Sequence, residues 1–422
     1  MTTTNIAIGC PVAEEFDPLS PAYLADPYAV MAALPLAEAP VFYAPTIGYY
    51  VITRYADIAQ VFGDPATHSS AVAQAPLVPL VPEAQQILLA GGHKPQPSMV
   101  SLDEPDHARL RRPAARAFAV KRVTDLQPTI RRIAGELLDA VRAAEFELIA
   151  GLAFPLPASV VFSLMGVPEA DHAQLKRWCG YRATLSFGRP APDDQVEIAT
   201  SIAAYRGYLR SLVEAKATAR ADDLTSDLLA IHDEAPDQLT RAEIASILFS
   251  LSFAGHETTT GLIGNTVRRL LEAADRWDAV VARPELVAAA IDETLRFDTS
   301  VPVWRRITTR PTTLGGIELP AGAKLLLWLA AANRDPSVFP APERFDLHRP
   351  NADQHLAFGK GLHYCLGAHL GKIEARIALE EIIQRFPCLE LVEDQVFTFH
   401  PNISFRGPQA LWVRSRSSYV RS

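Results

Sequence analysis

The sequence predicts a mostly α-helical protein with a minor β part, folded as one domain over residues 1–422, and three observations carry that reading. Helical patterning dominates from Pro105 to Ala274. Within it, Thr240-Arg241-Ala242-Glu243 forms a capping box, followed by a mostly apolar, uncharged run from Ile244 through Ala254. β-like patterning is confined to short stretches at Val41–Tyr55, Thr308–Lys324 and Leu389–Val413. Hydrophobic residues make up 49% and charged residues 21% of the chain, enough apolar material for a large core and too little charge for disorder.

In chain order, Pro21 to Pro35 reads as a helix. Val41 to Tyr55 is aromatic and β-branched around a Pro45–Gly48 turn and reads as a hairpin; Ala56 to Phe62 returns to a short helix. Val72 to Val100 mixes prolines, paired glycines and apolar residues, and is long enough to expect a binding loop or lid. The helix behind the capping box runs to about Ala274, about 50 Å at 1.5 Å per residue. Gly315-Gly316 and Pro320-Ala321-Gly322 punctuate the later β region, and Leu389 to Val413 reads as a terminal hairpin. Neither repeats nor a low-complexity linker marks a domain boundary.

Composition excludes several classes. A net charge of −8 argues against nucleic acid as the main partner. Cys10, Cys179, Cys365 and Cys388 have no metal-type or disulfide-framework spacing, which fits a reducing cytoplasm. The first residues lack a basic, apolar leader, and no window approaches an uncharged span of ~18 residues. A soluble cytoplasmic protein with no membrane partner is the expectation.

Two stretches carry chemistry. In Phe358-Gly359-Lys360-Gly361-Leu362-His363-Tyr364-Cys365-Leu366-Gly367 a cysteine sits in a glycine-punctuated loop that leads into a helix patterned by Leu366, Leu370, Ile373 and Ile377. Unpaired N–H groups at a helix N-terminus favour a thiolate. Gly359, Gly361 and Gly367 admit backbone where a Cβ clashes or φ is positive. Such a thiolate suits the axial position of a heme iron; a buried structural cysteine is the alternative. The second stretch, Ala254-Gly255-His256-Glu257-Thr258-Thr259, puts an acid, two hydroxyls and a glycine into an apolar helix, a poor choice for stability. Either it is an exposed polar patch or it marks a local kink with room for a small ligand beside a proton relay.

The spacing Phe-x-x-Gly-x-His-x-Cys-x-Gly resembles the heme-binding signature of the cytochrome P450 family, and Ala-Gly-x-Glu-Thr resembles its oxygen-binding motif; the likeness runs from about Phe16 to Val413. The resemblance implies heme b as cofactor, Cys365 as its iron ligand, Phe358 packed near the sulfur with Gly359 and Gly367 around it, and His363 reaching a propionate. Ala254 and Gly255 would lie beside the cofactor, Glu257 would feed protons and Thr258 would hold the dioxygen network. His107 and Arg111, one helical turn apart, match a propionate-binding pair. Arg306 matches another propionate ligand, with adjacent Arg305 as the alternative. Glu293 and Arg296, with Arg344 from Pro342-Glu343-Arg344-Phe345, match a structural lock behind the Cys loop.

The implied activity is a monooxygenase inserting one atom of O2 into a small-to-medium apolar, in one reading aromatic, organic substrate by hydroxylation or oxidative dealkylation. A peroxide-driven peroxygenase and a non-enzymatic heme-thiolate sensor or carrier are the alternatives. The chain resembles heme domains of reductase-fused bacterial members but ends shortly after Val413. Separate donors are therefore expected: a ferredoxin or flavodoxin with its NAD(P)H-dependent reductase, docked on Arg109, Arg112, Arg116 and Lys360. The expected pocket is Phe253, Ala254, Val301, Pro302, Val303 and Ile403, roofed by Val72–Val100 and Trp178–Phe187. Arg182 and Arg189 are the candidates for binding a substrate carboxylate.

Overall fold

A computed structural model describes residues 6–90, 98–179 and 181–416, without the side chains of residues 117, 181 and 182. Helix takes 53% of the chain and strand 10%, so the class is mostly α, as the sequence predicts.

Among the described residues, ten short strands form three sheets. They are β1 (Val41–Ala44), β2 (Tyr49–Ile52), β3 (His68–Ser69), β4 (Glu145–Glu147), β5 (Trp304–Thr308), β6 (Thr312–Leu314), β7 (Ile317–Leu319), β8 (Lys324–Leu327), β9 (Leu389–Leu391) and β10 (Trp412–Ser415). The main sheet has the order β1-β2-β8-β5-β3, with β2 and β8 parallel. The β1–β2 hairpin closes over residues 45–48, pairing Ala44 with Tyr49. The terminal region differs from a simple hairpin. β9 and β10 pair antiparallel, but residues 392–411 make a long excursion between them, and β10 also pairs with the distant β4.

The first helical segment is two helices, Pro21–Ala25 and Pro27–Ala32. Asp26 adopts extended backbone, as a residue before proline prefers, and its carboxylate caps Tyr28 and Ala29 N–H. Residues 72–100 contain a helix at Pro82–Leu89.

The long helix is Arg241–Leu271, started by the reciprocal Thr240–Glu243 box. It runs as one unbroken α-helix through the motif. Thr258 and Thr260 hydroxyls donate to the carbonyls of Ala254 (2.6 Å) and His256 (3.0 Å), so the helix absorbs its own polar side chains. It packs on the helices Pro155–Met165 and Ala368–Arg385.

Behind the Cys loop, Glu293 and Arg296 are fully buried and pair at 2.8 Å. The lock's third member is Arg349, not Arg344. Arg349 Nε lies 3.1 Å from Glu293 Oε2 and is nearly buried, whereas the Arg344 side chain is 74% exposed. Arg344 contributes only its carbonyl, which accepts from Arg296 (3.1 Å) and Arg349 (2.9 Å).

Candidate functional site

Cys365 lies between a short 3-10 turn, Gly361–His363, and the helix Ala368–Arg385. Its N–H donates to the Phe358 carbonyl (2.9 Å), closing the loop on itself. Gly359 and Gly361 have φ of +68° and +67°, and a Cβ on Gly361 would lie 2.7 Å from the Phe62 carbonyl oxygen. Those two positions therefore need glycine. Gly367 does not share that reason: its φ is −89° and a Cβ there meets nothing within 4 Å.

The Cys365 residue is accessible, yet protein encloses the thiol closely, as at the floor of a recess. Burial is the dominant influence and pushes the thiol above its ordinary value. The N–H groups of Gly367 and Ala368 and the charge of Arg111 act in the opposite direction without winning. The N–H groups at the helix N-terminus thus act towards the thiolate, as the sequence predicts, but burial outweighs them.

Beside the loop, four cationic or potentially cationic side chains converge. The His107 and His363 rings are 4.1 Å apart. Nε2 of each is buried without a hydrogen-bond partner. His363 is lowered to about 3 by burial first, then by Arg306, His107 and Arg111. Arg306 is 3% exposed, donates only to the Arg305 carbonyl (2.8 Å), and is lowered to about 10 by burial. Arg111 donates to the Tyr364 carbonyl (2.5 Å) next to Cys365. Two arginines beside two imidazoles that burial keeps neutral, each with an orphaned ring nitrogen, fit a dianionic ligand such as the carboxylates of heme. The sulfur, the glycine loop and this cluster together accept heme b.

The cluster has a pH consequence. With His363 depressed from 6.5 to about 3, the unfolded chain takes up its proton first, so stability is full above 6.5 and falls as pH drops towards 3. Heme-free His363→Gln is expected to show a shallower loss of urea midpoint over that window; an unchanged slope would count against the cluster.

On the other side, Ala254 is exposed although its neighbour Phe253 is buried, and Thr258, one turn on, is half-buried. These two share one face. Gly255, expected beside the cofactor, turns its Cβ direction to Val161 Cγ2 at 3.4 Å, so its smallness serves helix packing. His256 also faces away, edge-on to Phe154 at 4.4 Å, and burial lowers it to about 4. Glu257 is half-buried and engaged in an interaction of its own.

Sequence reasoning missed Glu374. It is 2% exposed on the helix Ala368–Arg385, bonds the Thr259 hydroxyl, and burial lifts its carboxyl well above the usual range. It joins the Cys helix to the long helix through Thr259; an acid on that helix's apolar face was the available signal.

Phe253, Val303 and Ile403 share one apolar cluster with Phe187 and Phe405, and Val301 packs against it. Pro302 and Ile403 also line a small recess with Phe405. Arg189 does not enter: it pairs with Asp17 (3.0 Å) at the surface. The Arg182 side chain lies outside the described residues. Arg109 is held by Glu243 (2.7 Å) and Asp106, whereas Arg112, Arg116 and Lys360 are exposed.

A mostly helical fold with a cysteine loop, a cluster of arginines and histidines beside it and a polar step in a long helix is the arrangement expected of the heme-thiolate class. The family model described as Cytochrome P450 matches residues 267–408. The Vitamin D(3) 25-hydroxylase of Pseudonocardia autotrophica is 36% identical over 384 residues, covering 90% of this chain and 91% of that protein. Cytochrome P450 CREJ, solved in complex with (4-ethylphenyl) dihydrogen phosphate, superposes with TM-score 0.91 at 36% identity over 95% of this chain and 99% of that one. An intact type IV self-sufficient P450 monooxygenase matches with TM-score 0.92 at 35% identity; this chain spans 96% of itself but 54% of that protein. The chain belongs to the cytochrome P450 family. It is a heme b oxidoreductase of the monooxygenase type, using O2, an organic substrate and a redox partner. Among the described residues no helix is long and apolar enough to cross a membrane.

Proposed function

We propose that the protein hydroxylates or oxidatively dealkylates a small-to-medium organic substrate with an apolar body. The convergence of the Cys365 thiol, the His107–Arg111–Arg306–His363 cluster and the Ala254–Thr258 face supports this reading most strongly. Bound heme would supply the iron at which O2 is activated, with the Cys365 sulfur donating electron density to it. His107, Arg111, Arg306 and His363 hold its carboxylates, Phe358 covers the loop, and Glu257 and Thr258 deliver protons while the apolar helix around them limits water. The relay speaks against the peroxygenase and carrier alternatives, neither of which needs protons metered to O2.

Phe253, Val303 and Ile403 leave orientation of the apolar body mainly to shape. The CREJ ligand joins such a body, an alkylaryl group, to an anionic end. A ligand screen read by the heme spin-state shift, followed by product analysis with a reductase and ferredoxin, tests the activity; ligands that shift the spin state yet give no product would overturn it. Phe253→Ala is expected to admit bulkier aromatics and loosen the best ligand about tenfold, which is about 1.4 kcal/mol of binding free energy. The same spectral titration checks this.

Electrons are delivered by an acidic ferredoxin or flavodoxin docking at Arg112, Arg116 and Lys360, a positive patch on a chain of net charge −8. Reduction rates are expected to fall steeply with salt and in Arg112→Glu or Arg116→Glu. Salt-independent stopped-flow reduction would rule this surface out.

A further inference from the structure

We propose that Arg305 binds an anionic group of the substrate, a carboxylate or a phosphate monoester, at the end remote from the oxidised carbon. The inference rests on the monooxygenase reading and names the polar end of its substrate.

Strand alternation sends Arg305 and Arg306 to opposite faces of β5. Arg306 joins the His363 cluster and lies over the Phe62 ring. Arg305 enters a different, fully buried place, 0% exposed. There its guanidinium meets only neutral groups: the Tyr49 hydroxyl (3.4 Å), the Ala73 carbonyl (3.1 Å) and the Ser186 carbonyl (3.3 Å). Its Nε is buried and has no partner. No carboxylate among the described residues lies within ion-pair distance, and none of the remaining residues is Asp or Glu.

The chain treats its other buried arginines differently. Arg296 is held by Glu293 at 2.8 Å, and Arg268 and Arg269 share the buried Asp298. Leaving a guanidinium buried against neutral acceptors alone is costly, and burial pulls Arg305 below its ordinary value. The carboxylates of heme account for Arg306; nothing in the chain balances Arg305.

Its position joins it to the substrate chamber. The guanidinium lies 4.9 Å from the centre of the Phe187 ring. Phe187 packs edge-on against Phe405 (5.2 Å), and Phe405 against Phe253 (5.1 Å), the residue before Ala254. One run of aromatic contacts thus leads from Phe253, next in the helix to Ala254, to the cation. An apolar body laid along it would carry an anionic end to Arg305.

The present bonds of Arg305 are long compared with the ~2.7–2.9 Å of charge-assisted ones. An anionic oxygen pair would replace the two carbonyls in the planar fork that guanidinium offers carboxylates and phosphates. Ala73 belongs to the segment after β3, and Ser186 to the last turn of the helix Tyr181–Phe187. Both are roof segments, so anion arrival would release them from the sheet.

The test uses heme-loaded protein with three ligands of similar body: para-ethylbenzoate, para-ethylphenyl phosphate and neutral methyl para-ethylbenzoate. Binding is followed by calorimetry and by the heme spin-state shift. At least one anion should bind about tenfold or more tightly than the ester, and which one does so identifies the group read. Arg305→Gln should abolish the preference while ester affinity stays within about twofold. A merely structural Arg305 would instead weaken all three ligands alike. Equal affinities in the wild type, or a preference that survives in Arg305→Gln, overturn the proposal. If Arg305→Gln does not hold heme, Arg305→Lys carries the test, because it keeps the charge and loses the fork. The anion preference should then drop about tenfold with the ester unaffected, and an unchanged preference overturns it. The ferrous–carbonyl band of the wild type tests the heme-thiolate reading separately.

Discussion

Thr258→Ala is expected to bind heme and substrate normally while yielding roughly a hundredfold less product per electron, the lower end of what a positioned proton-transfer group contributes. The substitution leaves the helix intact. The hydroxyl's bond is to the Ala254 carbonyl one turn back, and alanine is the better helix former. What disappears is a rotatable hydroxyl on the face that Ala254 opens. Electrons should then leave as peroxide or water. Glu257→Gln, which keeps shape and loses the proton, should slow turnover by about a hundredfold at unchanged ligand affinity. Comparing NAD(P)H consumed, peroxide released and product formed checks both. If product per electron is unchanged in both variants, the relay lies elsewhere.

The second large effect concerns stability. Glu293 accepts from Arg296, from Arg349 and from the Asp346 N–H, at zero exposure. Glu293→Gln leaves two buried guanidinium groups without their anion, which costs about 3–5 kcal/mol, a large part of the ~5–15 kcal/mol that holds a domain together. Arg349→Ala should be comparably damaging because it uncovers one side of Glu293. Arg344→Ala should leave the urea midpoint unchanged, since only its backbone is used. Equal effects at 344 and 349 would contradict the arrangement.

That contrast shows what the sequence can disclose. Cys365 and its loop were legible because their constraints are local: positive φ at Gly359 and Gly361 is written in residue type. The capping box was legible for the same reason. The partner of Glu293 was not. Arg344 and Arg349 lie in an irregular segment with no period to say which side chain turns inward, and tertiary packing decides. Strand alternation in β5 separates Arg305 from Arg306, but what surrounds Arg305 comes from residues 49, 73 and 186. The packing of Gly255 on Val161 and of His256 on Phe154 was likewise not legible in the motif, because a helix turns successive residues to different faces and the neighbouring helix decides what each one meets.

The ferrous–carbonyl spectrum of wild-type protein beside Cys365→Ser tests the central claim most directly. A red-shifted Soret band typical of thiolate ligation is predicted in the wild type, and its loss is predicted in a Cys365→Ser variant that still folds and retains some heme. Retention of the band in Cys365→Ser, or its absence from heme-loaded wild type, would contradict a heme held through Cys365.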